Sequence, residues 1–216
     1  TLPPAYAVTD VNTAQRGFNV KLHQTASRDQ ETTVARAEQQ LQGIRGANVA
    51  DLTTGFANGV YTETGVINYN QVTADGFTPE QGGFFYLPAD TTTIPAERQI
   101  ADLLIPGTPS TTEFNADSTY YTDNMAAEIT TYLHFPSAGV YNLIFSSDDG
   151  FRTTASPAYS EVLSSLLIVE ADLGKGADDV VGTVYVAQAG YYPFRTVWFE
   201  GGGGASLEWS AQQVAP

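Results

Sequence analysis

Gly139-Val140-Tyr141-Asn142-Leu143-Ile144-Phe145-Ser146-Ser147-Asp148-Asp149-Gly150-Phe151-Arg152 is the stretch on which the fold of this chain turns. Tyr141, Leu143 and Phe145 recur with period two and line one face of a β-strand. That strand runs directly into two carboxylates and a glycine. Adjacent Asp148 and Asp149 repel each other, a cost that a hard cation with oxygen ligands relieves. Gly150 lets the backbone turn sharply or come close to its neighbours. Just upstream, Ile129, Thr131, Leu133 and Phe135 share one strand face, and Pro136-Ser137-Ala138-Gly139 makes the turn. Further strands are expected at about 163–170, 181–188, 190–200 and 205–210. Antiparallel strands at this spacing, with turn residues between them, predict an all-β fold, an antiparallel β-sandwich.

The remainder of the chain is less regular. Leu2-Pro3-Pro4-Ala5-Tyr6 reads as extended, so residues 1–16 are expected to form an N-terminal arm or linker. Residues 17–24 alternate apolar and polar and predict a first strand. One short helix is predicted over 33–42: Thr32 or Thr33 caps its start, Val34, Ala37 and Leu41 form the apolar stripe, and Gly43 stops it. Residues 44–126 are rich in Gly, Thr, Asn and Pro and read as long loops. Short apolar runs interrupt them at Gly59-Val60-Tyr61, Val66-Ile67-Asn68-Tyr69 and Phe84-Phe85-Tyr86-Leu87.

A length of 216 residues suits one domain, 1–216, with a full core. Hydrophobic residues make up 42% and aromatics 12%, as in a folded protein. Acidic residues outnumber basic ones 24 to 9, for a net charge of −15. That balance argues against nucleic acid and anionic membranes as partners, which need a positive footprint. Divalent cations and neutral sugars stay compatible. No cysteine is present, so disulfides, thiolate metal sites and cysteine nucleophiles are excluded. No run approaches 18 apolar residues, which predicts no membrane-inserting helix. The chain is expected to be one domain of a larger, exported polypeptide.

A second segment complements the first: Tyr191-Tyr192-Pro193-Phe194-Arg195-Thr196-Val197-Trp198-Phe199-Glu200 runs into Gly201-Gly202-Gly203-Gly204-Ala205-Ser206-Leu207-Glu208-Trp209. Together the Ser-Asp-Asp-Gly-Phe-Arg and Tyr-Tyr-Pro-Phe-Arg motifs resemble the paired signatures of the protective-antigen fourteen-kilodalton (PA-fourteen) domain family. Its members occur in bacterial toxins, glycosidases, bacterial adhesins and yeast cell-surface lectins. The resemblance spans roughly residues 127–210. It implies a β-sandwich in which two loops hold one calcium ion.

In the lectins of that family the first loop supplies two Asp side chains joined by a cis peptide, which fall here on Asp148 and Asp149. The second supplies a side chain and two backbone carbonyls, which fall on Glu200, Gly202 and Gly204. Glu200 stands where those lectins usually carry Asn and adds a third negative charge. Gly201 to Gly204 replace the bulky residues that touch sugar there, leaving a shallow, open pocket. The resemblance further implies that a saccharide or cell-surface glycan binds at Asp148, Asp149 and Gly203. Trp198 shares a strand face with Phe194 and Glu200, and serves either as core packing or as a stacking platform for a sugar ring.

Catalytic signatures are missing. His23 and His134 are the only histidines and show no metal-ligand spacing, so they read as structural or exposed. No nucleophile elbow, zincin, P-loop or dinucleotide motif occurs. Asp172-Leu173-Gly174-Lys175-Gly176-Ala177-Asp178-Asp179 lacks EF-hand spacing and reads as a hairpin turn. The expectation is a non-enzymatic, calcium-dependent carbohydrate-binding module of a secreted or surface-attached bacterial adhesin. Two alternatives stand beside it: a spacer or protein-interaction domain whose calcium only rigidifies loops, and a module of a glycosidase.

Overall fold

Period-two alternation builds two sheets packed face to face. The structure, a computed structural model, describes residues 1–27, 30–71, 85, 98–107 and 122–215. Among them lie strands β1 (Phe18–Gln24), β2 (Phe56–Ala57), β3 (Val60–Glu63), β4 (Asn68–Asn70), β5 (Leu103–Leu104) and β6 (Met125–Phe135). They continue as β7 (Gly139–Asp148), β8 (Phe151–Ala155), β9 (Leu166–Ala171), β10 (Asp178–Val186), β11 (Gly190–Glu200) and β12 (Ser206–Ala215). One sheet has the order β2-β3-β1-β6-β11-β8-β9 and the other β10-β7-β12-β4-β5. All the pairings are antiparallel except β4 with β5.

Inward-facing residues of both sheets make the core. Tyr141, Leu143 and Phe145 of β7 are buried against Ile129 and Phe135 of β6 and Phe194 of β11. The Phe145 ring stacks on Phe151 at 4.6 Å and on Trp209 at 5.0 Å. Because Phe151 belongs to the other sheet, this cluster joins the two layers. Thr153 and Thr196 bury their hydroxyls in the same core and satisfy each other at 2.7 Å.

The single α-helix among the described residues is α1 (Val34–Leu41), close to its expected span. The Thr33 hydroxyl accepts from the Arg36 N–H at the helix start, and Gly43 follows in the left-handed region. Val34 and Ala37 pack on Ala126, Val197 and Phe199, covering one end of the outer face of the seven-stranded sheet.

Some expectations need correction. Residues 151–155 form a strand that sequence reading passed over, and β12 extends five residues beyond the predicted end. Residues 172–177 are no hairpin turn: β9 and β10 belong to different sheets, so the segment crosses between them. The start of the chain lies against the sandwich, with Leu2 fully buried and bridged to Val186, and Val8 bridged to Tyr191. The run Phe84–Leu87 falls outside the described residues except for Phe85, whose N–H donates to Glu208 Oε2 at 3.0 Å.

Phe145 has no solvent exposure and touches both layers, so Phe145→Ala should destabilise the protein by about 3–5 kcal/mol. Urea unfolding should show a lowered midpoint with an unchanged slope.

Candidate metal centre

Three sheet-to-sheet crossovers meet at one end of the sandwich. β7 passes to β8 through Asp149-Gly150, β9 to β10 through residues 172–177, and β11 to β12 through residues 201–205. Strand register brings them together: Ser206 pairs with Asp148, Asp178 with Ser147, and Trp198 with Phe151. Motifs some fifty residues apart in sequence thereby become neighbours.

The Asp148–Asp149 peptide is cis. One carboxylate oxygen from each of Asp148, Asp149 and Glu200 lies within 4.8 Å of the other two. Asp148 and Asp149 are 8% and 7% exposed, and Glu200 is fully buried. Asp149 is held by two backbone donors from different crossovers: the Lys175 N–H to Oδ1 at 2.8 Å and the Gly201 N–H to Oδ2 at 2.9 Å. Gly150 is sterically required, since a Cβ there would stand 2.3 Å from the Ala171 carbonyl oxygen.

Glu200 is different. Both of its carboxylate oxygens are buried and accept no hydrogen bond. The Gly202 N–H favours the charged form from nearby but does not close a hydrogen bond to either oxygen. Burial, and then the charges of Asp149, Asp148 and Asp123, hold the Glu200 carboxyl well above its ordinary value of 4.5. A buried carboxylate without a partner is costly, and a hard cation among three carboxylates removes that cost. The donor set therefore fits a calcium-like ion.

Two cations already stand near. Arg36, fully buried in α1, donates to the Glu31 carbonyl at 2.7 Å, Gln40 Oε1 at 2.6 Å, the Met125 carbonyl at 3.0 Å and the Glu200 carbonyl at 3.2 Å. Burial pulls its pKa down to about 10, against the field of Glu200 and Asp149. The Lys175 ammonium donates to the carbonyls of Ser147, Gly176 and Asp178. Burial lowers its pKa, while Asp178, Asp148, Asp149 and Asp179 work in the opposite direction.

Sequence reading missed Arg36, Lys175 and Asp123. Asp123 Oδ1 accepts the Gly203 N–H at 3.2 Å, and Gly203 takes φ +117°, so this carboxylate shapes the glycine loop. Gly202 lies beside the same carboxylate. Asp123 sits in the pattern-poor stretch before β6, where only a turn ending in positive-φ Asn124 could have marked it. Trp198 is 1% exposed and its indole N–H donates to the Asp148 carbonyl at 3.0 Å. It braces the first loop from inside the core, which corrects the expectation of a sugar-stacking platform. His23 is buried and His134 exposed, and neither joins the acidic trio.

A two-sheet sandwich whose crossovers gather carboxylates at one end defines the class of protein. The PA14 domain family matches residues 85–216, well over half of the chain, and the chain belongs to that family. Among solved structures it is similar to the PA14 domain of the MpAFP antifreeze protein, at 14% identity and a TM-score of 0.50, over 92% of this chain and 82% of that one. It is also similar to a PA14 sugar-binding domain from an RTX adhesin, at 12% identity and a TM-score of 0.50, over 92% and 90%. The A domain of epithelial adhesin 6 from Candida glabrata, solved with Galβ1-3GlcNAc, matches at 13% identity and a TM-score of 0.50, over 97% and 85%. No curated protein matches the chain.

Without metal, folded Glu200 keeps a proton that the unfolded chain releases above its ordinary value of 4.5. This contribution to stability is complete below pH 4.5 and lost as pH rises, by about 1.4 kcal/mol per pH unit while Glu200 stays protonated. Glu200→Gln removes the titrating group. In chelator, the stability of Glu200→Gln relative to the unsubstituted protein should therefore grow between pH 4.5 and 7, as read by thermal melts.

Proposed function

We propose that this chain is a calcium-dependent carbohydrate-binding domain of an exported surface protein, and not an enzyme. The observation that carries the reading is the fully buried Glu200 carboxylate, unpartnered and within 4.8 Å of Asp148 and Asp149 oxygens. The three carboxylates would hold the ion, with the Gly202 and Gly204 carbonyls as further ligands. Calcium supplies a hard Lewis acid whose six to eight oxygen positions exceed what these residues offer.

Asp148, Asp149 and Gly203 are the groups assigned to the sugar. Gly202 is exposed and Gly203 and Gly204 are half-buried, so the second loop leaves the centre open on that side. The named binding of the RTX adhesin domain and the disaccharide bound to epithelial adhesin 6 agree with a sugar ligand. Neighbouring Asp148 and Asp149, sharing one ion, are poorly suited to act as a raised-pKa acid, which supports binding over glycoside hydrolysis. The rival reading, calcium as a rigidifier of a spacer domain, draws support from the burial of all three carboxylates.

Calcium at 100 times its dissociation constant should stabilise the native state by about 2.7 kcal/mol. Melts in chelator and in millimolar calcium should differ accordingly, and Asp149→Ala should abolish the difference. Equal melting temperatures for the unsubstituted protein in both conditions would overturn the metal assignment. A glycan array probed with multivalent protein and calcium then separates the two readings. Binding to sugars with suitable vicinal hydroxyls supports the lectin, and a blank array supports the spacer.

A further inference from the structure

Among the described residues, the outer face of the seven-stranded sheet is only partly covered. Helix α1 packs on the end that carries Ala126, Val197 and Phe199. Beyond it, Lys21, Glu128 and Arg195 form an ion-pair row across β1, β6 and β11. Past that row the face opens into a groove of about 840 Å³. Thr130 pairs with Arg195 and Tyr191 stands at the far end of β11, so the groove runs from about 17 to about 30 Å from Glu200 at about 3.3 Å per residue.

The floor of this groove is built by strand alternation. Asn19 pairs with Thr130, and Tyr191 with His134, so these side chains share the outer face with Tyr132. His134 stacks on Tyr191 at 4.5 Å, and Tyr132, 39% exposed, leans on Tyr159 at 4.7 Å. Residues 11–17 form one wall. Among the described residues no Asp or Glu lines the groove. Arg16 does line it, exposed, and among the described residues it is the basic side chain with neither an ion pair nor a hydrogen bond.

We propose that this groove binds an acidic saccharide chain, a glycan bearing carboxylate or sulfate groups, without a metal ion. Its volume falls in the range of about 300–1,000 Å³ typical of ligand sites. Paired aromatic rings offer flat apolar surface with polar edges, and Asn19 and Thr130 offer neutral hydrogen-bonding groups. The Arg16 fork matches a carboxylate or sulfate. Carboxylates elsewhere on the chain are screened beyond about 8 Å at physiological salt, so the local lining decides.

The test uses the full chain in excess chelator, which silences the calcium site, and titrates it by calorimetry with oligogalacturonate, a sulfated oligosaccharide, a neutral oligosaccharide of equal length and hexaglutamate. Oligogalacturonate or the sulfated chain should bind at least tenfold more tightly than the neutral chain and hexaglutamate. Rising salt should weaken the binding. Arg16→Gln and Tyr132→Ala should each weaken it about tenfold, while both keep the unsubstituted melting temperature and its response to calcium. No binding of either acidic saccharide at millimolar concentration overturns the proposal. So does equal binding of hexaglutamate or of the neutral chain, or indifference to both substitutions.

Discussion

A guanidinium shut away from water underlies the acidic end of this domain. Arg36 spends its donors on backbone carbonyls of the strand ends, Met125 at the start of β6 and Glu200 at the end of β11, and on Gln40 beside it. Gln40 passes the connection on through its own amide, donating to the carbonyls of His23 and Asn124. The ring of Phe199 lies under the guanidinium at 5.4 Å. Together these contacts anchor the ends of three strands to one helix turn. Each carbonyl left without its donor would cost about 1–3 kcal/mol, so the arrangement stands as a unit. The charge itself is tolerable because Glu200 and Asp149 surround it with negative field.

That anchoring explains how a chain this acidic keeps carboxylates inside. Asp149 has two amide donors, so its charge is met by the backbone of two crossovers. Arg36 and Lys175 contribute field but direct their hydrogen bonds at carbonyls, leaving the Glu200 oxygens unclaimed. Resident cations thus hold the loops in place while the centre of the cluster remains electrostatically unsatisfied. Assembly of the site and demand for an ion are separate properties, carried by different residues.

Much of this was legible in the sequence, and for definite reasons. Residues 129–135 and 141–145 alternate strictly, so the strand faces of Ile129 and Phe145 and the position of Asp148 and Asp149 at a strand end could be read from period two, while their pairing with Glu200 came from the motif resemblance. Thr33 and Gly43 marked the helix by capping chemistry. What escaped depends on the third dimension. A stripe of Val34, Ala37 and Leu41 identifies the apolar side of α1 but conceals that Arg36 and Gln40 are buried with it. The spacing of Asp172 to Asp179 cannot distinguish a hairpin from a crossing between sheets, because both need a short turn. Parity put Trp198 on the face with Glu200, yet only the opposing sheet buries it. Asp123 precedes the first regular strand of the second half and follows a long stretch without periodicity.

The strand order also places the two ends of the sandwich in opposite roles. Leu2 is bridged to Val186, which pairs with Gly139, and the neighbouring Val140 pairs with Ala215 at the end of β12. Both extremities of the described chain therefore reach the pole farthest from the carboxylates, separated by three strand spacings, about 14 Å. Tension applied through them strips Leu2 from β10 and peels β12 away from β7 like a zipper, one hydrogen-bonded pair after another. The pole holding Asp148 and Glu200 is the last to feel that load.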